Sequence, residues 1–259
     1  MSSQDNVVVS EQQQQQQVPT PQTNPLGRKL TIVFALPGDT FSNNFLLGWT
    51  TIFNYCLSHD IMPLITNHKS NNIYYVRNMC LGGNVLRGVD QKPFNGEVKY
   101  DFIMWMDSDQ VFSVENFVNL LQHDADIMSG LYLMENNKEF ATVENMDKEY
   151  FKKHGHYEFL SGEELLLRRK KDAEPVIEVD YTGMGWMLVK HGVFEKMQYP
   201  WFSPDWQEMD YTDPSGNVFN VREFTMEDVC FCKKAKDLGY KIKVDTRNVV
   251  GHEKRVVLG

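Results

Sequence analysis

Apolar positions along the chain alternate between two patterns. Near-continuous runs mark buried strands, and three-and-four spacing marks amphipathic helices. Residues 30–36, in "KLTIVFALPG", form a β-rich apolar run stopped by Pro37-Gly38, which predicts a buried strand ending in a loop. "NFLLGWTTIFNYCLSH" then places Phe45, Trp49, Ile52, Phe53 and Cys56 on one helical side. "IMPLIT" predicts a second short strand that carries Pro63, an edge-strand residue. "NNIYYVRNMCLGGNVL" predicts a helix broken near Gly82-Gly83. The apolar "YDFIMWMDSD" predicts a strand that ends in acid, followed by a helix in "VENFVNLLQHD" and a strand in "ADIMSGLYL".

After a polar stretch at 135–178, expected as part β-hairpin and part surface loop, "VIEVDYTGMGWMLVKHGVFEKM" predicts strand, turn, strand and short helix. "TMEDVCFCKKAKDLG" predicts a helix closed by Gly239, and "YKIKVDT" a last strand. This alternation predicts an α/β fold, a three-layer sandwich around a mostly parallel central sheet. The sequence divides into a tail at 1–28 and a single domain at 29–259, with a ligand-binding half at 29–134 and a second half at 135–259. Six consecutive glutamines and several prolines, with almost nothing apolar, predict a disordered tail.

Composition narrows the classes. An apolar fraction of 42% supports a sizeable core in 259 residues. A net charge of −9 argues against a general nucleic-acid partner, which needs a basic surface. The four cysteines (Cys56, Cys80, Cys230 and Cys232) match neither a zinc site nor a disulfide framework. They read as reduced thiols, and without a membrane-length apolar run the expectation is a soluble, cytoplasmic protein.

Asp107 and Asp109 carry the most chemistry. A buried strand cannot hold two unpaired carboxylates, so they belong at its mouth, where α/β sheets bind ligands. Strand alternation would put both on one side, with Ser108 turned away. Two hard oxygen ligands there suit Mg²⁺ or Mn²⁺, and through the metal a diphosphate; the alternative is a solvated turn. A second acidic pair, Glu227-Asp228, opens the "TMEDVCFC" helix. Either Thr225 and Asp228 form a capping box, or Asp228 is a general base kept ionised by the helix N-terminus. Arg77, in an apolar-leaning helix, needs a phosphate or a carboxylate partner. Gly183 and Gly185 permit close backbone approach, and Trp186 either stacks on a sugar or packs the core. Trp201, Phe202 and Trp206 form either a carbohydrate platform or lid, or a pin for a long loop.

On the D-S-D after a central strand and the later Glu-Asp pair, residues 29 to about 255 resemble the GT-A-fold glycosyltransferases. The resemblance is strongest to the family-2-like inverting enzymes of bacteria, phages and large DNA viruses. It implies transfer of a sugar from a nucleoside-diphosphate-sugar donor to a carbohydrate or glycan acceptor, as a hexosyl- or pentosyltransferase that needs Mn²⁺ or Mg²⁺. It implies that Asp107 and Asp109 hold the metal, with Asp107 nearer the donor, and that His252 is a third ligand. Asp228 would be the base and Glu227 its neighbour at the acceptor. Leu36, Pro37 and Asp39 would line the nucleoside pocket, Arg77 and Asn78 would lie near the nucleotide, and Gly185 and Trp186 beside the donor sugar. Lys254 and Arg255 would offset pyrophosphate charge. Two alternatives remain: a sugar-phosphate nucleotidyltransferase, against which the first loop's lack of a basic Gly-rich segment speaks, and a non-catalytic carbohydrate-binding or scaffold protein.

Overall fold

The structure, a computed structural model, describes residues 23–254. In chain order the first elements are β1 (Leu30–Pro37), α1 (Asn43–Ser58), β2 (Ile61–His68), α2 (Ile73–Cys80), β3 (Phe102–Met106), β4 (Gln110–Val111), α3 (Val114–Leu121) and β5 (Ile127–Leu131). The middle holds β6 (Thr142–Val143), α4 (Lys148–His154), α5 (Gly162–Lys170), β7 (Val176–Val179), β8 (Tyr181–Thr182), β9 (Trp186–Lys190) and α6 (Val193–Lys196). The last are β10 (Trp206–Thr212), β11 (Val218–Phe224), α7 (Glu227–Asp237), β12 (Ile242–Val249) and β13 (Gly251–His252).

Seven strands make one sheet in the order β2-β1-β3-β9-β5-β12-β7. Five run in one direction; β9 and β7 run against them. Alternation sorts the strand side chains to two faces. Ile32, Phe34, Phe102, Met104, Trp186 and Leu188 pack with α1 and α3. Val33, Ala35, Ile103, Trp105, Met187 and Val189 pack with α2, α6 and α7. This is the α/β three-layer sandwich expected from the periodicity. Pro63 is tolerated because β2 is an edge strand, paired only with β1.

Three expectations change. β9, from the second half, inserts between β3 and β5 of the first, so the halves interleave in one sheet. The 135–178 stretch begins with the expected antiparallel reversal, Leu133 bridging Phe140, but then forms α4 and α5 where surface loop was expected, started by Asp147 and Ser161 accepting backbone N–H groups. Of the expected tail, residues 1–22 lie outside the described residues. Asn24, however, is buried and donates to the Arg28 and His59 carbonyls at 2.7 and 3.0 Å, so the body begins before residue 28. All four cysteines are free and buried; on α7, Cys230 meets the Ser203 hydroxyl and Cys232 the Thr182 carbonyl. No helix among the described residues is long and apolar enough to cross a membrane.

Candidate active site at the ends of the parallel strands

β3 is wholly buried until Met106, and the chain turns as it leaves the core. The Gln110 N–H donates to the Asp107 carbonyl at 3.1 Å, closing a tight turn over Asp107–Gln110. Strand alternation therefore ends at Asp107, and the two carboxylates take different partners. The loop after β1 abuts this turn: Gly38, at φ +138°, leaves room that a side chain would take from Ser108, 2.9 Å away.

Asp107 receives a two-pronged bond from Arg77, Nη1 to Oδ1 and Nη2 to Oδ2, both at 3.0 Å. The same guanidinium donates Nε–H to Glu227 Oε1 at 2.9 Å. Arg77 is 2% exposed and lies 5.5 Å from the Trp105 ring centroid. Burial works against its charge, but Asp107 and Glu227 more than offset that and raise its pKa. Arg77 thus takes the carboxylate option and is not free for a phosphate. It joins the end of β3 to the first turn of α7.

Asp109 looks elsewhere. Its Oδ2 lies 3.0 Å from His252 Nε2 and 3.0 Å from Lys254 Nζ. The short β4–β13 ribbon pairs His252 with Gln110 and so brings the imidazole to the turn. His252 Nδ1 lies 2.7 Å from the Leu133 carbonyl, which fixes the ring through its far nitrogen. Burial disfavours the Asp109 charge, yet hydrogen bonds from His252 and Lys254 pull its pKa down to about 2. The hydrogen bond to Asp109 raises that of His252.

The residues that would hold a divalent cation can be tested on this geometry. A carboxylate oxygen and an imidazole nitrogen 3.0 Å apart have the separation of neighbouring ligands on an ion of about 2.1 Å bond length. The Lys254 ammonium already marks the place as one for positive charge. Asp109 and His252 fit. Asp107 has both oxygens on Arg77, and among the described residues no three His, Cys, Asp or Glu side chains gather as a ready metal cluster. Beside Asp109 an open cleft of about 320 Å³ is lined by Thr40, Ser42, Ser108, Glu253 and Lys254.

Asp228 is not part of a capping box. Met226 occupies the N-cap of α7 with no side-chain cap, and Thr225 Oγ1 instead donates to the Asp205 carbonyl at 3.1 Å. The Asp228 carboxylate takes only the Val229 N–H, at 2.7 Å, among the described residues. Burial first, and the Glu227 charge second, raise its pKa to about 7.

Other expected residues fall variously. Leu36 and Pro37 are the buried end of β1, so of that segment Asp39 is the exposed residue. Asn78 is buried and serves the fold: it donates to the Tyr74 and Phe202 carbonyls and accepts the Phe202 N–H. Trp186 is fully buried and stacked on Phe112 at 4.8 Å, so it packs the core and offers no face to a sugar. Trp201 and Phe202 are likewise buried and pin their loop; Trp206 is exposed. Gly185 does sit at the site. Its carbonyl accepts the Asp107 N–H at 2.9 Å, and a side chain there would meet Gln110, Asp107 and Tyr132 within 3.2 Å. Arg255 lies outside the described residues.

Tyr132 was missed. It follows β5, its hydroxyl accepts the Gly185 N–H at 3.2 Å, and its ring meets His252 edge-on at 5.2 Å. Burial, then the charges of Asp107 and Asp228, raise its phenol well above the ordinary range. The two glycines in "GMG" were its only trace: a Cβ on Gly183 would lie 1.9 Å from the Tyr132 hydroxyl.

No protein-family model matches the chain, and no curated protein matches it. Among solved structures it is similar to A197 from STIV, at TM-score 0.47 and 15% identity over 89% of this chain and 97% of that one. It is also similar to GalNAc-T7, solved with UDP, GalNAc and Mn²⁺, at TM-score 0.45 and 9% identity over 88% of this chain. The match spans 44% of the GalNAc-T7 chain.

Proposed function

We propose that the protein is a metal-dependent glycosyltransferase that moves a sugar from a nucleoside-diphosphate donor to a glycan hydroxyl with inversion. One observation carries this reading. The two acidic pairs, 120 residues apart in sequence, are tied by the Glu227–Arg77–Asp107 bridge at the mouth of the parallel strands. The resemblance of the D-S-D and Glu-Asp segments to the family-2-like enzymes adds to it. The non-catalytic alternative leaves Asp228 without a task, since it neither caps α7 nor forms an ion pair among the described residues.

In this reading Asp109 and His252 would hold a Mn²⁺ or Mg²⁺ ion, and Lys254, 3.0 Å from Asp109, would face the donor phosphates. The ion, when bound, neutralises the diphosphate charge that develops as the sugar leaves. Asp107, gripped by Arg77, faces the donor and is held in one orientation by its two-pronged bond. Gly185 gives the donor sugar backbone-close access, and the Asp39 loop borders the nucleoside. Asp228 accepts the proton of the acceptor hydroxyl while that oxygen bonds to the anomeric carbon and the diphosphate departs with the bonding pair. A raised pKa makes Asp228 a stronger base than an ordinary carboxylate. We place the reaction in the cytoplasm.

Incubation with UDP-, GDP- and dTDP-sugars, Mn²⁺ and simple glycans tests this. The expected product is a glycan of inverted anomeric configuration from one nucleotide class, lost in Asp228→Asn. Retained configuration would overturn the inverting assignment. Full activity in Asp228→Asn would remove the base.

A further inference from the structure

β10 and β11 pair only with each other, as a ribbon outside the main sheet. Such a ribbon is marginal alone and must be held by its neighbours. Alternation gives it two faces. Inward, Met209 is buried and Gln207 donates to the Tyr157 hydroxyl. Outward, directly opposed residues make a ladder: Trp206 with Phe224, Glu208 with Arg222, and Asp210 with Asn220.

The first rung is aromatic and about half exposed. Trp206 is 54% and Phe224 44% exposed, with ring centroids 5.4 Å apart in an edge-on pair. The Arg222 guanidinium lies 5.3 Å from the Trp206 ring centroid and is paired with Glu208. The next rung is an amide–carboxylate bond, Asn220 Nδ2 to Asp210 Oδ1 at 3.3 Å. The two half-exposed rings leave apolar area and an aromatic face open to a ligand.

The aromatic rung also lies where the base helix starts. Asp205 and Thr225 clasp the root of the ribbon by backbone and hydroxyl bonds of 2.9 and 3.1 Å. Tyr74 meets Phe224 edge-on at 6.1 Å and donates its hydroxyl to the Thr225 carbonyl at 2.7 Å. Phe224 is four residues from Asp228 along this anchored segment.

Resting on the glycosyltransferase reading of Asp228, we propose that the outward face of the β10–β11 ribbon is the acceptor subsite, and that it takes a pyranose-containing glycan stacked on Trp206. An aromatic ring covers the C–H face of a pyranose, and planar charged and amide side chains beside it reach the ring hydroxyls. The polar rungs decide between a glycan and a lipid. A prenyl chain needs a continuing apolar track, whereas here the aromatic rung is followed on the same face by an ion pair and then an Asp–Asn pair. Val218, exposed at the tip, is separated from the aromatic rung by both.

Saturation-transfer NMR of the full chain with cellotriose, maltotriose, chitotriose, mannotriose and lactose tests the proposal. At least one saccharide should bind, about tenfold more weakly in Trp206→Ala and with part of the loss restored in Trp206→Phe. Mn²⁺-dependent nucleotide-sugar binding, measured by calorimetry on the same samples, should be equal in all three proteins. The exposure of Trp206 leaves the melting temperature as the control for folding. No saccharide contact in the wild type, or equal contact in Trp206→Ala, with donor binding present, overturns the acceptor subsite and leaves the glycosyltransferase reading standing. Absence of donor binding from the wild type strikes that reading instead. Trp206-dependent binding to vesicles carrying a polyprenyl phosphate, without saccharide contact, overturns the glycan in favour of a lipid.

Discussion

At the residue scale the site is an arrangement of paired and unpaired charge. Arg77 stands between two carboxylates in a nearly closed space, so removing it strands both. Arg77→Ala is expected to lower unfolding stability by about 3–5 kcal/mol in urea titrations. Arg77→Lys should recover part of that stability, while its point charge cannot reproduce the two-pronged bond to Asp107. Asp228 behaves oppositely. Its pKa is raised in the folded chain, so the native state holds a proton that the unfolded chain releases near pH 4. The associated stability is present in acid and is lost as pH rises toward 7. Asp228→Asn, which cannot ionise, should therefore raise the melting temperature by a few degrees at pH 8 and by less at pH 5. Under the proposed mechanism the same pKa predicts that kcat/KM climbs as pH rises through about 7. Glu227→Gln should move that rise to lower pH, because the Glu227 charge is one cause of the shift. A flat pH profile for wild type would contradict Asp228 as the base.

At the element scale the consequential features are junctions. The turn after β3 ends the two-residue period, so an expectation built on alternation could place the carboxylates at the strand mouth but not on their separate partners, Arg77 and His252. The core strands were legible because apolar runs of β-rich residues leave few other options, and α1, α3 and α7 because their spacing or ends are distinctive. The β10–β11 ribbon was read as an aromatic loop although "DPSGN" supplies a turn between two alternating segments; the density of aromatic residues masked the alternation. Tyr132 could not be found from periodicity, since it lies just past β5 and its role depends on chain segments far away in sequence. The glycine pair that admits it makes a testable junction. Gly183→Ala drives a methyl group against the phenol and should cost about 1–3 kcal/mol of stability by thermal denaturation. An unchanged melting temperature would mean that this packing is looser than described.

At the scale of the whole molecule, one sheet brings both halves of the chain to a single edge. Insertion of β9 between β3 and β5 carries Gly185 to Asp107, β12 carries His252 back to Asp109, and α7 delivers Glu227 to Arg77. A protein of net charge −9 thereby gathers His252 and Lys254 at Asp109, while Arg77 is engaged by Asp107 and Glu227. In the proposed function the donor is held through a cation at Asp109. Calorimetry with UDP-, GDP- and dTDP-sugars, with and without Mn²⁺, in wild type and in Asp109→Ala, tests it most directly. One nucleotide class should bind only with Mn²⁺, and Asp109→Ala should lose that binding while melting within a few degrees of wild type, since Asp109 is partly exposed and outside the core. Equal nucleotide-sugar binding in the folded variant, or none in wild type with Mn²⁺ present, would contradict the account.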